Sequence, residues 1–473
     1  MSDEFALNPD ENIPGNSQRA IYLVFIGFAI ILMGMAFYYS PSIDHLINGF
    51  IYIITHPSVA DFDGLAKPGN FGSAHLNAGL LLLSVLLVYR LTDTHISGLQ
   101  IASAMLAVGF AYYGKNCINV WWPVIGVFIA ASYMKTPLSQ VTAMAFFSAS
   151  IAPVFSAFAF GTTTLGYGSP LAISIGAIFG ILCGILVAIL APHLVTLHKG
   201  YVLFNVGFAA GIVGIFMHGV RQSLNMGHSQ IIMNEKLSPS LGYTEHYTNI
   251  GMDAYLTGVN YILGPMLLIM FSYFIICGFA LGGGRIFFNH LRWYRSRAEN
   301  YVEKFGFAPV LINMGLVGFA ATSYIFIADI VVEGHLGGPL FAAIITAAGF
   351  GANGVTIRTH LSLMIGVFIT AFVGGGIAGA IIGDPFMASA MTRVGNRTML
   401  LAAIFICGMC PVPGEHGFKA GILMGIAHAF IIPYVGAFHG WMSLYNNGLA
   451  LAIVATFLYP LYEKLGQQKD SEY

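Results

Sequence analysis

The chain has 473 residues, of which 57% are hydrophobic and 8% charged, and its formal net charge is −1. A soluble globular domain carries about 25% charged residues, so 19 basic and 20 acidic side chains cannot coat a globule of this size. This balance excludes a soluble enzyme, a nucleic-acid binder and a disordered chain; with a mean hydropathy of +0.77 it describes an integral membrane protein that has the lipid bilayer as a partner.

Residues 1–19 form an acidic, polar tail without the basic start and short apolar stretch of a secretory signal, so the run beginning at Ala20 reads as a retained transmembrane helix. A spanning helix needs about 20 mostly apolar residues. Fourteen segments approach that pattern, near 20–40, 73–92, 98–113, 117–134, 138–157, 168–192, 203–220, 253–282, 308–330, 337–354, 359–382, 398–412, 418–437 and 442–461. The run near 46–57 reads as a surface or linker helix, and the 57 glycines suit close helix packing. With the N-terminus inside, 13 of the 19 basic residues fall on the cytoplasmic side, most of the bias coming from the loop 285–307. This predicts a multi-pass protein of the cytoplasmic membrane with both termini, including the tail 462–473, in the cytoplasm. The outer segment 221–252 is polar and carries no recognisable domain.

The halves are related. Residues 98–131 align without gaps to 338–371 with 12 identities in 34, including the string IGVFI, and 180–213 align to 421–454 with 14 in 34. Chance in so biased a composition gives roughly 3, so the duplication is genuine. The repeat is about 240 residues, or seven spans, and an odd number of spans turns the second copy upside down in the membrane. The charge contrast between the basic loop 285–307 and its acidic counterpart 41–72 agrees. The expected fold is therefore all-α, with about 14 transmembrane helices in two inverted seven-helix repeats, 20–220 and 253–461. Such repeats are common in secondary transporters, whose site lies between them at broken helices.

Glycine- and proline-interrupted runs occur at 150–170 and 393–419, with Pro170 aligned to Pro411 at the constant offset. Broken helices expose backbone groups that are tolerated only against protein, water or ligand. The second break carries Glu415, His416 and Lys419. Charged groups in an apolar region are functional candidates, so Glu415 and His416 are expected to couple transport to an ion and Lys419 to contact an anionic substrate. The repeated pairs His198…Asn205 and His439…Asn446 are seven residues apart, about two helical turns, which would put each pair on one face and offers Asn205 and Asn446 to a substrate. Lys115 and Asn116 follow a repeated glycine-rich segment and suggest anion contact, and Asp329 lies near the end of its span, where it could bind a coupling ion.

Cys407-Gly-Met-Cys410 has no second pair at metal-ligand spacing, and the chain has no P-loop, dinucleotide fingerprint or hydrolase elbow, so no metal, cofactor or ATP-driven step is expected. The two GIL…P…H…N-x-G-x-A blocks, with the Gly114-Lys115-Asn116 and Gly414–Gly417 segments, resemble an uncharacterised family of internally duplicated membrane proteins of Gram-positive bacteria, a domain of unknown function. That resemblance implies no substrate and no catalytic residue. The layout is similar to that of nucleobase and anion transporters with inverted repeats, without their specific motifs. The expected function is secondary transport of a small polar or anionic metabolite, driven by protons or sodium. A passive channel is the alternative, as is a membrane enzyme acting on a lipid-linked substrate with Asp329, Glu333 and His335. The sequence leaves self-association open.

Overall fold

The computed structural model describes residues 17–55, 71–161, 165–224, 252–295, 298–332, 338–374 and 397–470, and within these the side chains of 71, 252–263, 329–332, 338 and 462–470 lie outside the description. Every named element is helical, and an isolated antiparallel bridge joins Asn300 to Asn353.

The first half consists of α1 (Gln18–Tyr39), α2 (Ile43–Thr55), α3 (Phe71–Leu91), α4 (Gly98–Phe110), α5 (Trp121–Tyr133), α6 (Leu138–Ser148), α7 (Pro153–Phe160), α8 (Pro170–His198) and α9 (Asn205–Ser223). The second comprises α10 (Met252–Ala280), α11 (Gly284–Asn289), α12 (Tyr301–Phe305), α13 (Phe307–Val332), α14 (Gly338–Phe350), α15 (Ile357–Val373), α16 (Arg397–Phe405), α17 (Pro411–His416), α18 (Phe418–Phe438) and α19 (Asn446–Asp470). Local chemistry sets several boundaries. Ser17 and Ser169 accept hydrogen bonds from Ala20 N and Ala172 N at the starts of α1 and α8, where a first-turn amide otherwise has no partner. Pro170 occupies the first turn of α8, where a missing N–H costs nothing, and α8 ends at Lys199, whose φ of 51° leaves the helical region.

Five helices are each long and apolar enough to cross a bilayer: Gln18–Tyr39, Gly72–Leu91, Pro170–His198, Phe307–Ala328 and Phe418–Phe438. The number rises to seven if each of two bent pairs counts as one span; the other apolar helices have 10–17 residues. Of the fourteen spans expected from hydropathy, five to seven thus meet this length and composition test among the described residues. The windows 98–113 and 117–134 resolve into two helices of 13 residues, each about 20 Å long by the α-helical rise, against a hydrocarbon core of about 30 Å. An apolar window cannot register the tight turn between them, where Gly114 takes φ of 88°.

The duplication recurs as contacts. Asn77 Nδ2 donates to Ala111 O and Lys115 O at 3.0 and 2.9 Å; its counterpart Asn313 donates to Gly351 O and Val355 O at 2.7 and 2.8 Å. Gly114 and Gly354, with φ of 88° and 90°, end the two turns that these amides hold. A side chain at Gly126 would run into Ile181 O of α8, and one at Gly366 into Ile422 O of α18, so α5/α8 and α15/α18 are equivalent crossings.

Helices α4 and α14 pack directly on each other, and their pairing gives their relative direction. A Cβ at Gly98 would meet Ala352, one at Gly349 would meet Met105 and Ala102, and one at Gly109 would meet Ala342. Partner numbers fall as residue numbers rise, so these equivalent helices are antiparallel. The helices α9 and α19 cross at Gly207 and Gly448, equivalent residues that face each other with the Cβ position of Gly207 only 3.2 Å from Gly448 Cα. An axis relating the halves runs between them.

The breaks need a different pairing from the constant offset. The α6–α7 break is the 3₁₀ turn Ala149–Ile151 followed by Pro153, bent by 41°. The α16–α17 break is the 3₁₀ turn Ile406–Met409 followed by Pro411. Pro411 therefore corresponds to Pro153, with Phe155 against Gly180 matched by Pro413 against Gly421, and not to Pro170, which opens α8. The offset is 258 here rather than 241, because each half carries an insertion that the other lacks.

Candidate functional site

A cavity of about 210 Å³ lies where the two halves meet. Fourteen of its seventeen lining residues form seven equivalent pairs: Leu106/Thr346, Phe110/Phe350, Phe147/Phe405, Leu203/Leu444, Phe204/Tyr445, Val206/Asn447 and Gly207/Gly448. The cavity thus sits on the axis, enclosed by α4 and α14, by the last turns of α6 and α16 before their breaks, and by the starts of α9 and α19. The halves are stitched across it. Leu203 N donates to Gly408 O in the second break at 2.8 Å, and Leu444 N donates to Ser150 O in the first at 2.9 Å. Each non-helical segment satisfies a backbone group of the other half, which is how irregular backbone persists in an apolar interior.

Six aromatic rings wall the cavity, in two equivalent sets. Phe110 lies 4.8 Å from Tyr445 and 5.8 Å from Phe405; Phe350 lies 4.7 Å from Phe204 and 5.8 Å from Phe147. Such separations suit offset and edge-on ring packing.

Polarity breaks this symmetry. Thr346, Tyr445 and Asn447 all belong to the second half, and their equivalents Leu106, Phe204 and Val206 are apolar. The hydroxyl of Thr346 is buried and has no hydrogen-bond partner. Asn447 is 7% exposed and its Oδ1 lies 3.0 Å from His428 Nε2. Behind Tyr445 stands Lys115, 1% exposed, whose Nζ donates to the Tyr445 hydroxyl and lies 4.8 and 5.4 Å from the centroids of the Tyr445 and Phe110 rings. The equivalent of Lys115 is Val355. Among the described residues the ion pairs are Arg90–Asp93 and Lys304–Glu299, so no described carboxylate neutralises Lys115. As an ammonium, this amine would be under-compensated, with only a hydroxyl and two ring faces around it.

The sequence candidates separate into three places. Lys115 is next to the cavity and Asn205 lines it. The amide of Asn205 is already committed, however, donating to Ala191 O at 2.8 Å and meeting His198 Nε2 at 2.9 Å. His198 and Asn205 do not share one helix face as their spacing suggested: His198 ends α8, Asn205 begins α9, and the positive φ values of Lys199 and Gly200 reverse the chain between them. Asn446 begins α19 beside Tyr445 and is outside the cavity lining. Asn116 is a turn builder: its Nδ2 donates to Ile53 O and its Oδ1 accepts from Ile118 N and Asn119 N. Glu415, His416 and Lys419 are exposed around the α17–α18 junction, away from the cavity, with His416 Nε2 3.0 Å from the Tyr201 hydroxyl. Asp329 falls within α13, but its side chain, like Glu333 and His335, lies outside the described residues. Among the described residues no cluster of His, Cys, Asp or Glu could hold a metal ion.

Tyr445, Thr346 and Asn447 are absent from the sequence candidates. The usable signal was in the mismatches of the repeat: hydroxyls and amides opposite Leu, Phe and Val.

The family model described as "protein of unknown function (DUF1576)" matches residues 42–223 and 290–464, one block in each half. No curated protein and no solved structure matches the chain.

Proposed function

The chain belongs to the DUF1576 family, and from that premise we propose that it is a secondary transporter of the cytoplasmic membrane that carries a small molecule through the cavity between its halves. One observation carries the reading: the cavity lies on the axis relating two antiparallel copies and is bounded by the broken helices of both. Inverted repeats that share a site at such breaks are the architecture of alternating access, in which the copies rock about a fixed site. The inverted arrangement of the copies across the bilayer, and cytoplasmic termini, belong to this proposal.

Coupling falls to the exposed pair Glu415 and His416, next to the second break, while binding falls to the cavity. A thermal-shift screen of the purified protein tests the assignment, using organic anions, neutral amphipaths and nucleobases, each with and without sodium and at two pH values. A ligand that binds only the folded state raises the melting temperature by mass action. The reading expects an ion-dependent shift that is lost in Thr346→Trp, which fills the cavity, and uptake of the same compound by proteoliposomes. Flux of that compound that ignores every ion gradient would make the protein a passive channel.

A further inference from the structure

The chemistry of the cavity narrows the cargo, and this step rests on the transport reading above. We propose that the cavity takes a small monocarboxylate with a compact apolar body, of the size and shape of an aromatic acid, with its carboxylate at the Tyr445–Asn447 end. Five observations converge. The walls are mostly six aromatic rings and aliphatic side chains, which suit a flat apolar body. The volume of about 210 Å³ exceeds the roughly 150 Å³ of a cavity that holds benzene, by about the room one small polar substituent needs.

Of the polar side chains that line the cavity, Thr346, Tyr445 and Asn447 belong to the second half, and the fourth, Asn205, is committed to Ala191 O and His198. Lys115 donates to the Tyr445 oxygen, which leaves the phenolic O–H free to donate to an occupant. With His428 Nε2–H donating to Asn447 Oδ1, the amide N–H groups of Asn447, a residue of the cavity lining, are left to serve an occupant. The starts of α9 and α19 both line the cavity, so the positive ends of two helices of 19 and 25 residues point at it.

Charge fixes the valence. One buried amine, Lys115, adjoins the cavity, and no lining residue is acidic. A monoanion bound beside it gives that amine, once protonated, the single opposite charge it lacks. A dianion would leave one negative charge in an apolar box, and an amino acid would bring an ammonium with no carboxylate to meet it.

The test is calorimetric binding to the full-length purified protein at neutral pH, with benzoate, benzamide, phthalate and phenylalanine as probes. Benzoate is expected to bind saturably and at least tenfold more tightly than each of the others. Lys115→Met and, separately, Tyr445→Phe are expected to remove that preference while the proteins still elute as folded monodisperse particles; Tyr445→Phe keeps the ring and so the wall. Benzamide binding as well as benzoate, absence of benzoate binding by the folded wild type, or an unchanged preference in a folded variant would each overturn the proposal. Flux separates the two readings. Tight benzoate binding without flux in proteoliposomes refutes transport and leaves the ligand class standing. Flux of a neutral or zwitterionic probe with no benzoate preference refutes the ligand class and leaves transport standing.

Discussion

Lys115 and Asn77 show how differently two buried polar residues on neighbouring segments can be used. Asn77 is spent on backbone: its amide holds Ala111 O and Lys115 O, and its oxygen accepts from Cys117 N. Removing such a group orphans buried carbonyls, so Asn77→Leu and Asn313→Leu should each cost about 3 kcal/mol in denaturant unfolding, with binding by the surviving folded fraction intact. Lys115→Met should show the reverse pattern, near-normal or raised stability with lost anion preference, since an apolar replacement of a buried ion is often neutral or stabilising. Glu415→Gln, outside the cavity, should leave equilibrium binding unchanged and abolish accumulation against a gradient; unchanged accumulation would remove Glu415 from coupling. The sequence marked Lys115 because it follows a repeated glycine-rich segment, and Asn205 because its pairing with His198 recurs as His439…Asn446. It gave no means of telling the free donor from the committed one, because Ala191 O and Tyr445 reach these side chains only through the fold. Nor did it show that Glu415, His416 and Lys419 stand apart from the cavity: a window of apolar residues does not reveal that the short α17 ends at exposed residues.

Among the elements, the paired crossings limit what the helices tolerate. Gly207 faces Gly448 at the axis, where a Cβ would lie 3.2 Å from both Gly448 Cα and Tyr445 Cβ. Gly207→Ile should therefore cost about 3 kcal/mol or more by overpacking and disturb the wall next to Tyr445. Gly34, on the exposed side of α1, has nothing within 4 Å of its Cβ position, and Gly34→Ala should stabilise by up to about 1 kcal/mol through helix propensity. Thermal melts of the two variants check both signs. The long apolar helices were legible because α1, α8 and α18 are continuous apolar stretches. The breaks were legible as glycine and proline clusters, but their equivalence was not: insertions of opposite sign cancel along the chain, so a constant offset matches Pro411 with the wrong proline. The windows 98–113 and 117–134 overran the 13-residue helices α4 and α5 because Ala111 to Tyr113 and Cys117 to Val120, which belong to the turn, are largely apolar.

The molecule as a whole is two copies that complete each other. The α4–α14 pair, the α9–α19 crossing and the reciprocal bonds from Leu203 to Gly408 and Leu444 to Ser150 all run between halves. Residues 1–224 and 252–473 expressed as separate chains should therefore associate in one membrane and co-purify, and either alone should be degraded. Duplication was plain from the identities, whereas the antiparallel packing of α4 on α14 needed coordinates, because span parity depends on which short helices cross. The most direct test of a carrier site on the axis is access to Thr346→Cys in a background lacking the five native cysteines, probed with a membrane-impermeant thiol reagent on sealed vesicles of either orientation. Alternating access predicts labelling from both faces, slowed by benzoate from both. Labelling from one face only, whatever ligand or ion gradient is applied, would contradict it.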